Sequence, residues 1–396
     1  MIRLLTLGLF LSACPLLEAQ SIAIDKKEFN SLQVAINKAK PGDIIQIRGI
    51  HVGSVKLNKK GITLKGENPD KDGITGNQGS VISADGAYGA ESLTIENLTI
   101  SNGSALGAPG GGIMLKRVKG KSTLNNLIIQ RNRTDKVGGG IMIVASRVTV
   151  ENCWIHENFA NRSGGGIALQ SGNASDSDIV IRNTVISSNI SENHGGAIYV
   201  NGNPKWGDKK QLFLAMENSI LAYNSTSKKG GAMFIRSAKH LNKNIANVKV
   251  NVNHITVAYN RTIHEKEGLP GIAFFGDQGY EPEFALSNSM VVSNGGPKEP
   301  DLNFVKSKVM QNEANIFGKV TGMKVSNVDM THSRVVSDIT QIGLSDKLTK
   351  VSGKLPVLKL MSGSVAIDNA DTNSSLKEDI NGNPRSKADI GAVEVN

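Results

Sequence analysis

Basic side chains recur at one phase of this chain: Lys116, Arg117, Lys119 and Lys121, then Arg147, then Lys205, Lys209 and Lys210, then Arg236, Lys239, His240 and Lys243. Stacked along one edge, they would form a positive ridge that attracts anionic polymers. Trp206 stands beside Lys205, where a flat ring could lie on a sugar face while the ammonium pairs its carboxylate. The competing reading is a basic protein that spreads lysine over its solvated turns. Hydrolysis of a glycan needs two carboxylates facing one bond. Asp176 and Asp178 are two apart, but their loop is rich in Ser, Gly and Asn and reads as a turn. A β-elimination needs a base and a group that neutralises a uronate carboxylate. Lys205 and Arg236 come nearest to the base, and no motif surrounds them. His156 and His194 have no metal partner at ligand spacing and read as ordinary surface or turn residues, while Cys153 reads as a small buried hydrophobe.

The 396 residues carry 45 Lys and Arg against 35 Asp and Glu, a net charge of +10, with 43 glycines and 4% aromatics. Disorder and collagen do not fit this composition, and no apolar run beyond the first 20 residues is long enough for a membrane helix. Two cysteines cannot make a disulfide framework. Residues 1–19 read as an export signal, with Arg3 ahead of an apolar stretch from Leu4. Leu11, Ser12, Ala13 and Cys14 resemble a bacterial lipobox, in which the cysteine is lipidated and ties the protein to the cell envelope. An ordinary cut after Ala19 fits the same segment. The expectation is an exported protein, either an outer-membrane or cell-surface lipoprotein or a secreted one. Its anionic partner would be a polysaccharide, not a nucleic acid.

What would bring the basic residues together is a repeat. Asn126, Asn152, Asn183, Asn218 and Asn288 are each followed six residues later by a second asparagine, and the pattern recurs every 26 to 36 residues. His254 stands in for the first asparagine of one copy. Between copies come glycines followed by an aliphatic residue, as at Gly138 to Ile141 and Gly164 to Ile167. Val148 and Val150 before Asn152, and Cys153 and Ile155 after it, alternate with the period of a strand. Each unit therefore holds two short strands joined at asparagine, which tolerates a left-handed bend. A third strand follows the glycines, with Ile141 and Ile143 or Ile167 and Leu169 pointing inward. Three strands per turn stacked in this way make an all-β, parallel β-helix solenoid over 20–310. An amphipathic helix at 31–40 would cap its open end.

The Gly-Gly-Gly-Ile and Gly-Gly-Ala-Ile segments with their spaced asparagines resemble bacterial right-handed β-helix proteins of the pectin-lyase-like superfamily, and also the repeats of chlamydial polymorphic membrane proteins. Asp368, Asp379, Gly382, Asn383, Arg385, Asp389 and Glu394 lie in a C-terminal stretch, 311–396, that resembles the end module called choice-of-anchor Q. Val365 and Ala370 stand where that family has proline and glycine. The resemblance implies a right-handed solenoid closed by a C-terminal capping module, on a secreted or surface protein, and no single reaction. The adjacent aspartates that hydrolases of this superfamily use are missing.

Residues one before each bend read Glu96, Asn125, Glu151, Arg182, Glu217 and Asn253. Opposite charges on neighbouring rungs would favour the register. Glu96, Asn125 and Glu151 could alternatively hold calcium, as could Asp379, Asn381 and Asn383. The outward column Met114, Met142, Ala168, Tyr199 and Phe234 is apolar, and is either covered by the chain's own loops or a docking face. The leading reading is a non-catalytic glycan-binding or scaffold protein with contacts at Lys116, Arg117, Lys205, Trp206, Lys209, Lys210, Arg236 and Lys239. A uronate lyase and an adhesin-like structural protein are the alternatives.

Overall fold

A single turn of the chain shows how its residue types dictate the path. Strand Lys121–Asn125 ends at Asn126, strand Ile128–Gln130 at Arg131, and strand Arg133–Thr134 runs on to Gly138; strand Ile141–Val144 ends at Ala145. All four bends are left-handed, with φ of +50° at Asn126, +55° at Arg131, +76° at Gly138 and +46° at Ala145. One left-handed residue turns a parallel strand sharply without ending the ladder, and asparagine and glycine reach that conformation at least cost.

The computed structural model describes residues 20–395, except 58–60, 89, 173–175, 203–210, 238–247, 264–267, 277–280, 297–298, 306, 322–331, 337 and 352. Successive turns pair in parallel register. On the first face Thr123 lies over Thr94 and under Thr149, and Glu151 pairs with Arg182, which pairs with Glu217. On the face after the glycines, Ile113, Ile141, Ile167, Ile198 and Met233 stand in one column. The chain is thus a parallel β-helix. Beyond the three strand faces expected, two-residue strands such as Phe159–Ala160 and Ile190–Ser191 form a separate narrow ladder.

Inward columns fill the interior. Ile141, Ile143, Ile167, Leu169, Ile198 and Val200 are all at most 1% exposed, each side chain contributing about 1.5–3 kcal/mol of burial. Toward the C-terminal end the column turns aromatic, and the Phe274 ring lies 4.3 Å from Phe284 and 5.3 Å from Phe304. Cys153 is fully buried, and burial pushes its thiol up to about 12.

The second asparagine of each pair forms the polar seam inside this core. Asn132, Asn158, Asn189, Asn224, Asn260 and Asn294 are each at most 2% exposed. The Nδ2 of each donates to the Oδ1 of the next at 2.8–3.0 Å, and the last donates to Asp301. The first asparagines, Asn126, Asn152, Asn183, Asn218 and Asn288, occupy the bends with φ between +41° and +55°. Their own amide ladder is broken. Asn183 donates to Asn152, but Asn152 donates to Asn125 and Asn218 to the carbonyl of Glu378.

At the N-terminal end, Ser21–Ile24 pairs antiparallel with Ile44–Arg48. The short helix Leu32–Lys38 buries Leu32, Ala35 and Ile36 against the first coils. Gln33 closes the exposed strand edge by donating to the carbonyl of Lys56 and accepting from its N–H, at 3.1 and 2.8 Å. Stacking continues past residue 310 through Lys308–Glu313, Ile316–Phe317 and Arg334–Val335. The C-terminal segment from 338 onward covers the solenoid laterally. It runs along the flank that carries Trp154, Tyr223 and Tyr259, with Tyr223 donating to the carbonyl of Asp346 and Asn253 to that of Ser374.

Candidate functional site

The face after the glycines carries a groove of about 810 Å³. Its floor is the apolar column: Met142 and Ala168 are at most 2% exposed, and Met114 and Tyr199 are half-buried, while Phe234 continues the column one coil beyond the groove. Register sets both walls. Two positions along each strand stand Lys116, Val144, Gln170, Asn201 and Arg236, one per coil. Two positions before each left-handed glycine stand Lys136, Arg162, Asn193 and Lys228. The Arg162 N–H donates to the Lys136 carbonyl at 3.0 Å, and the Asn193 N–H to that of Arg162 at 2.7 Å, so this wall too rises one residue per coil. With rungs about 4.8 Å apart, Arg236 stands roughly 19 Å from Lys116 along this column, one coil beyond the residues that line the groove.

At one end the floor is aromatic. The His194 ring stacks on Phe234 with centroids 4.4 Å apart, Tyr199 lies 6.0 Å from Phe234, and Phe275 continues the stack at 5.1 Å. The Lys229 ammonium sits 4.9 Å over Phe275. Burial, with the charges of Lys228, Lys229 and Arg236, lowers His194 to about 4. His194 is therefore neutral at neutral pH, chiefly through burial, with the neighbouring cations adding to the shift. Burial also pushes Tyr199 above the usual phenol range.

Among the described residues Arg162, Lys228 and Arg236 have no ion-pair partner. Lys136 is paired to Asp135 at 3.2 Å. Asp85 holds both Lys116, at 3.1 Å, and Arg117, at 3.2 Å. Burial raises the Asp85 pKa, but the Ala87 N–H and the two cations outweigh it and hold the carboxyl below its ordinary value. Lys116 faces the groove and Arg117 turns around the corner from it.

Of the ligand contacts expected from sequence, the structure brings Lys116 and Arg236 onto one wall and places Arg117 beside Lys116. Lys205, Trp206, Lys209, Lys210 and Lys239 lie outside the described residues, as do residues 1–19 with Cys14. The second wall, Lys136, Arg162, Asn193 and Lys228, was missed. Its signal was present as a fixed offset of two from each left-handed glycine. His156 is not an ordinary surface residue, whereas His194 sits half-buried in the turn before Gly195. His156 is 6% exposed beneath the Trp154 ring, at 3.9 Å, and burial takes it to about 4. The His156 ring is buried because its outward aim meets the Trp154 ring and the C-terminal segment beyond it, whereas His194 is half-buried at the edge of the groove. Trp154 is covered as well, its Nε1 donating to Ser187 and its ring lying under Lys350 at 5.1 Å.

The oxygen sets proposed for calcium are engaged internally. Glu96 pairs with Lys65 and Glu151 with Arg182, and Asn125 accepts from Asn152. Asp379 accepts the N–H groups of Asn381, Asn383 and Glu394. Among the described residues no three His, Cys, Asp or Glu side chains gather as metal ligands. Arg385 meets Glu394 at 2.9 Å with both side chains buried, while Asp389 accepts from the N–H groups of Asp368 and Val395. Asp368 itself takes a left-handed turn, φ +56°.

No curated protein matches this chain. Among solved structures it is similar to pectate lyase Pel9A, with 15% identity, a TM-score of 0.45, and coverage of 92% of this chain and 91% of that one. It is also similar to the alginate lyase AlyGC, with 13% identity, a TM-score of 0.28, and coverage of 92% of this chain and 57% of that one. Residues 43–205 match the family model described as a right-handed β-helix region. With the parallel ladders and the inward aliphatic columns, that match makes the fold a right-handed parallel β-helix.

Proposed function

We propose that this is an exported protein that binds anionic polysaccharide along the groove and does not cleave it. The observation that carries the reading is the arrangement of the walls. Cations stand on both sides of an apolar floor, at coil spacing, and two of them, Arg162 and Lys228, have no ion-pair partner among the described residues. A sugar chain has an apolar ring face and polar edges, so it fits the half-buried Met114 and Tyr199 of the floor beneath Arg162 and Lys228, with Arg236 one coil farther along. Uronate or sulfate groups along its edges would meet the walls, and each charge-assisted contact is stronger than a neutral one. Among the described residues no carboxylate lines the groove, so the acid and base of a glycosidase are not at hand.

Residues 1–19 direct export, with either lipid on Cys14 or a cut after Ala19, and mass spectrometry of the mature N-terminus distinguishes the two. The C-terminal stretch serves as the choice-of-anchor Q-like module, bracing the flank that carries Trp154, Tyr223 and Tyr259. The test of binding is retention of the purified protein on immobilised uronate polymer, reduced by salt and by Arg162→Gln with Lys228→Gln. Incubation with the same polymer, followed by ultraviolet absorbance of unsaturated product, addresses the lyase reading. Product formation would overturn the non-catalytic proposal, and wild-type protein that fails to bind would overturn the glycan reading altogether.

A further inference from the structure

A second concave site lies around the corner from Lys116. Arg117, Lys119 and Arg147, with the backbones of Gly86 and Gly120, enclose about 430 Å³. Lys119 and Arg147 are exposed and have no ion-pair partner among the described residues. Asp85 is shared between Arg117 and Lys116, so the pocket keeps a net positive charge. Arg117 also sits in a left-handed bend, φ +54°, where the next coil uses alanine, Ala145. That conformation costs a side-chain-bearing residue about 1–2 kcal/mol. Arg117 Nε remains buried and without a hydrogen-bond partner while its Nη2 donates to Asp85.

We propose that this corner pocket binds a tetrahedral oxyanion ester, a sulfate group carried by the same polysaccharide that lies in the groove. The proposal rests on the reading of the groove and names the substituent that its ligand bears. Two guanidinium groups and one ammonium line the same compact site. A sulfate ester offers three terminal oxygens to three cations, whereas a carboxylate offers two. Lys116 and Arg117 are adjacent in sequence and anchored on one carboxylate, so a sugar held at the Lys116 end of the groove is one residue away from the pocket. A phosphate ester shares the chemistry and is distinguished by experiment.

The test uses small probes that reach the pocket without needing the groove. N-acetylglucosamine 6-sulfate, the corresponding 6-phosphate and the unsubstituted sugar are titrated into the full mature protein while backbone amide signals of Ala87, Val118 and Gly120 are followed by NMR. Shifts with the sulfate sugar that vanish in Arg147→Gln and Arg117→Gln support the proposal. Saturable shifts with the phosphate sugar alone reassign the ester and overturn the sulfate. No shift with either overturns the site. In parallel, heparin oligosaccharides and their desulfated forms are compared on the wild type and on Arg147→Gln. The variant should lose about tenfold in affinity for the sulfated chain and none for the desulfated one. Arg162→Gln with Lys228→Gln should lose affinity for both. If those groove substitutions change nothing while Arg147→Gln still acts, the groove reading fails and the pocket stands. Melting temperatures confirm that each variant is folded.

Discussion

Asn158 and Asn189, thirty-one residues apart, join amide to amide inside the solenoid: Asn158 Nδ2 donates to Asn189 Oδ1 at 2.9 Å, and the same oxygen accepts the Asn158 N–H at 3.0 Å. Asn158 Nδ2 also donates to the carbonyl of Ile129, and its own oxygen serves Asn132 in the same way. Removing this side chain leaves several buried groups unpaired on two rungs. Asn158→Ala should therefore cost about 3 kcal/mol or more, as buried networks do when half-satisfied. At the bend, Asn126→Ala loses one exposed amide contact and gains left-handed strain, together about 1–2 kcal/mol. Urea-unfolding midpoints rank the two, and equal midpoints would show that the inner seam has no special weight.

Which asparagine forms the seam was not legible from spacing alone. Both members of a pair recur with one period and both flank a bend. The difference is that Asn152 is itself the left-handed residue, whereas at Asn158 the residue before it, Glu157, takes that conformation and leaves the asparagine to turn inward. Local chemistry did predict what is local, namely the bend at Asn152, the inward pairs such as Ile167 with Leu169, and the apolar column from Met114 to Phe234. It could not show that the column lies between walls, because the wall residues Arg162 and Lys228 belong to the segment before the glycines. Nor could it place the C-terminal segment beside Trp154. That position depends on contacts such as Asn218 with Glu378, separated by 160 residues, and no periodicity reports those.

Two consecutive glycines illustrate separate constraints. Gly164 holds φ at +70°. Gly165 has no such requirement, yet a Cβ there would lie 2.5 Å from the Gly196 carbonyl oxygen and 2.6 Å from that of Ile190. Gly165→Ala must push two rungs apart, where overpacking typically costs about 1–3 kcal/mol. Gly107, with open space around its Cβ position, serves as the control. Gly107→Ala carries only the left-handed penalty and should melt closer to the wild type than Gly165→Ala. The reverse order would contradict the close approach of the coils.

In the groove, charge and stacking should separate by their response to salt. Exposed charges are screened over a Debye length of about 10 Å at 0.1 M ionic strength, while apolar contact is not. Arg162→Gln with Lys228→Gln should weaken uronate binding about tenfold at low salt and flatten its salt dependence. Tyr199→Ala should weaken it by a smaller factor that persists at all salt concentrations, because the ring contributes area and not charge. Calorimetric titrations at two ionic strengths check both. Parallel salt slopes for wild type and the double variant would mean that the walls do not meet the ligand's charges.

His254 stands where the other repeats have a bend asparagine, and it keeps the bend at φ +52°. It is fully buried under the C-terminal segment, with Nδ1 against the Gly391 carbonyl at 3.1 Å and Nε2 without a partner. Burial and the neighbouring Arg385 lower its pKa to about 3 from the ordinary 6.5. The unfolded chain therefore binds the proton first as pH falls, and stability is lost from about 6.5 downward until the folded value is reached. Within that window each such histidine contributes a slope of about 1.4 kcal/mol per pH unit. His156 acts in the same direction down to about 4, and His194, being partly exposed, contributes less. His254→Asn restores the repeat's usual residue and removes one titrating group. The variant should lose about 1 kcal/mol at pH 7 with the Gly391 contact, yet melt at a temperature less sensitive to acid. Melting curves at pH 7 and pH 5 decide it, and an unchanged difference between the two would show that His254 is not where acid acts on the contact with the C-terminal segment.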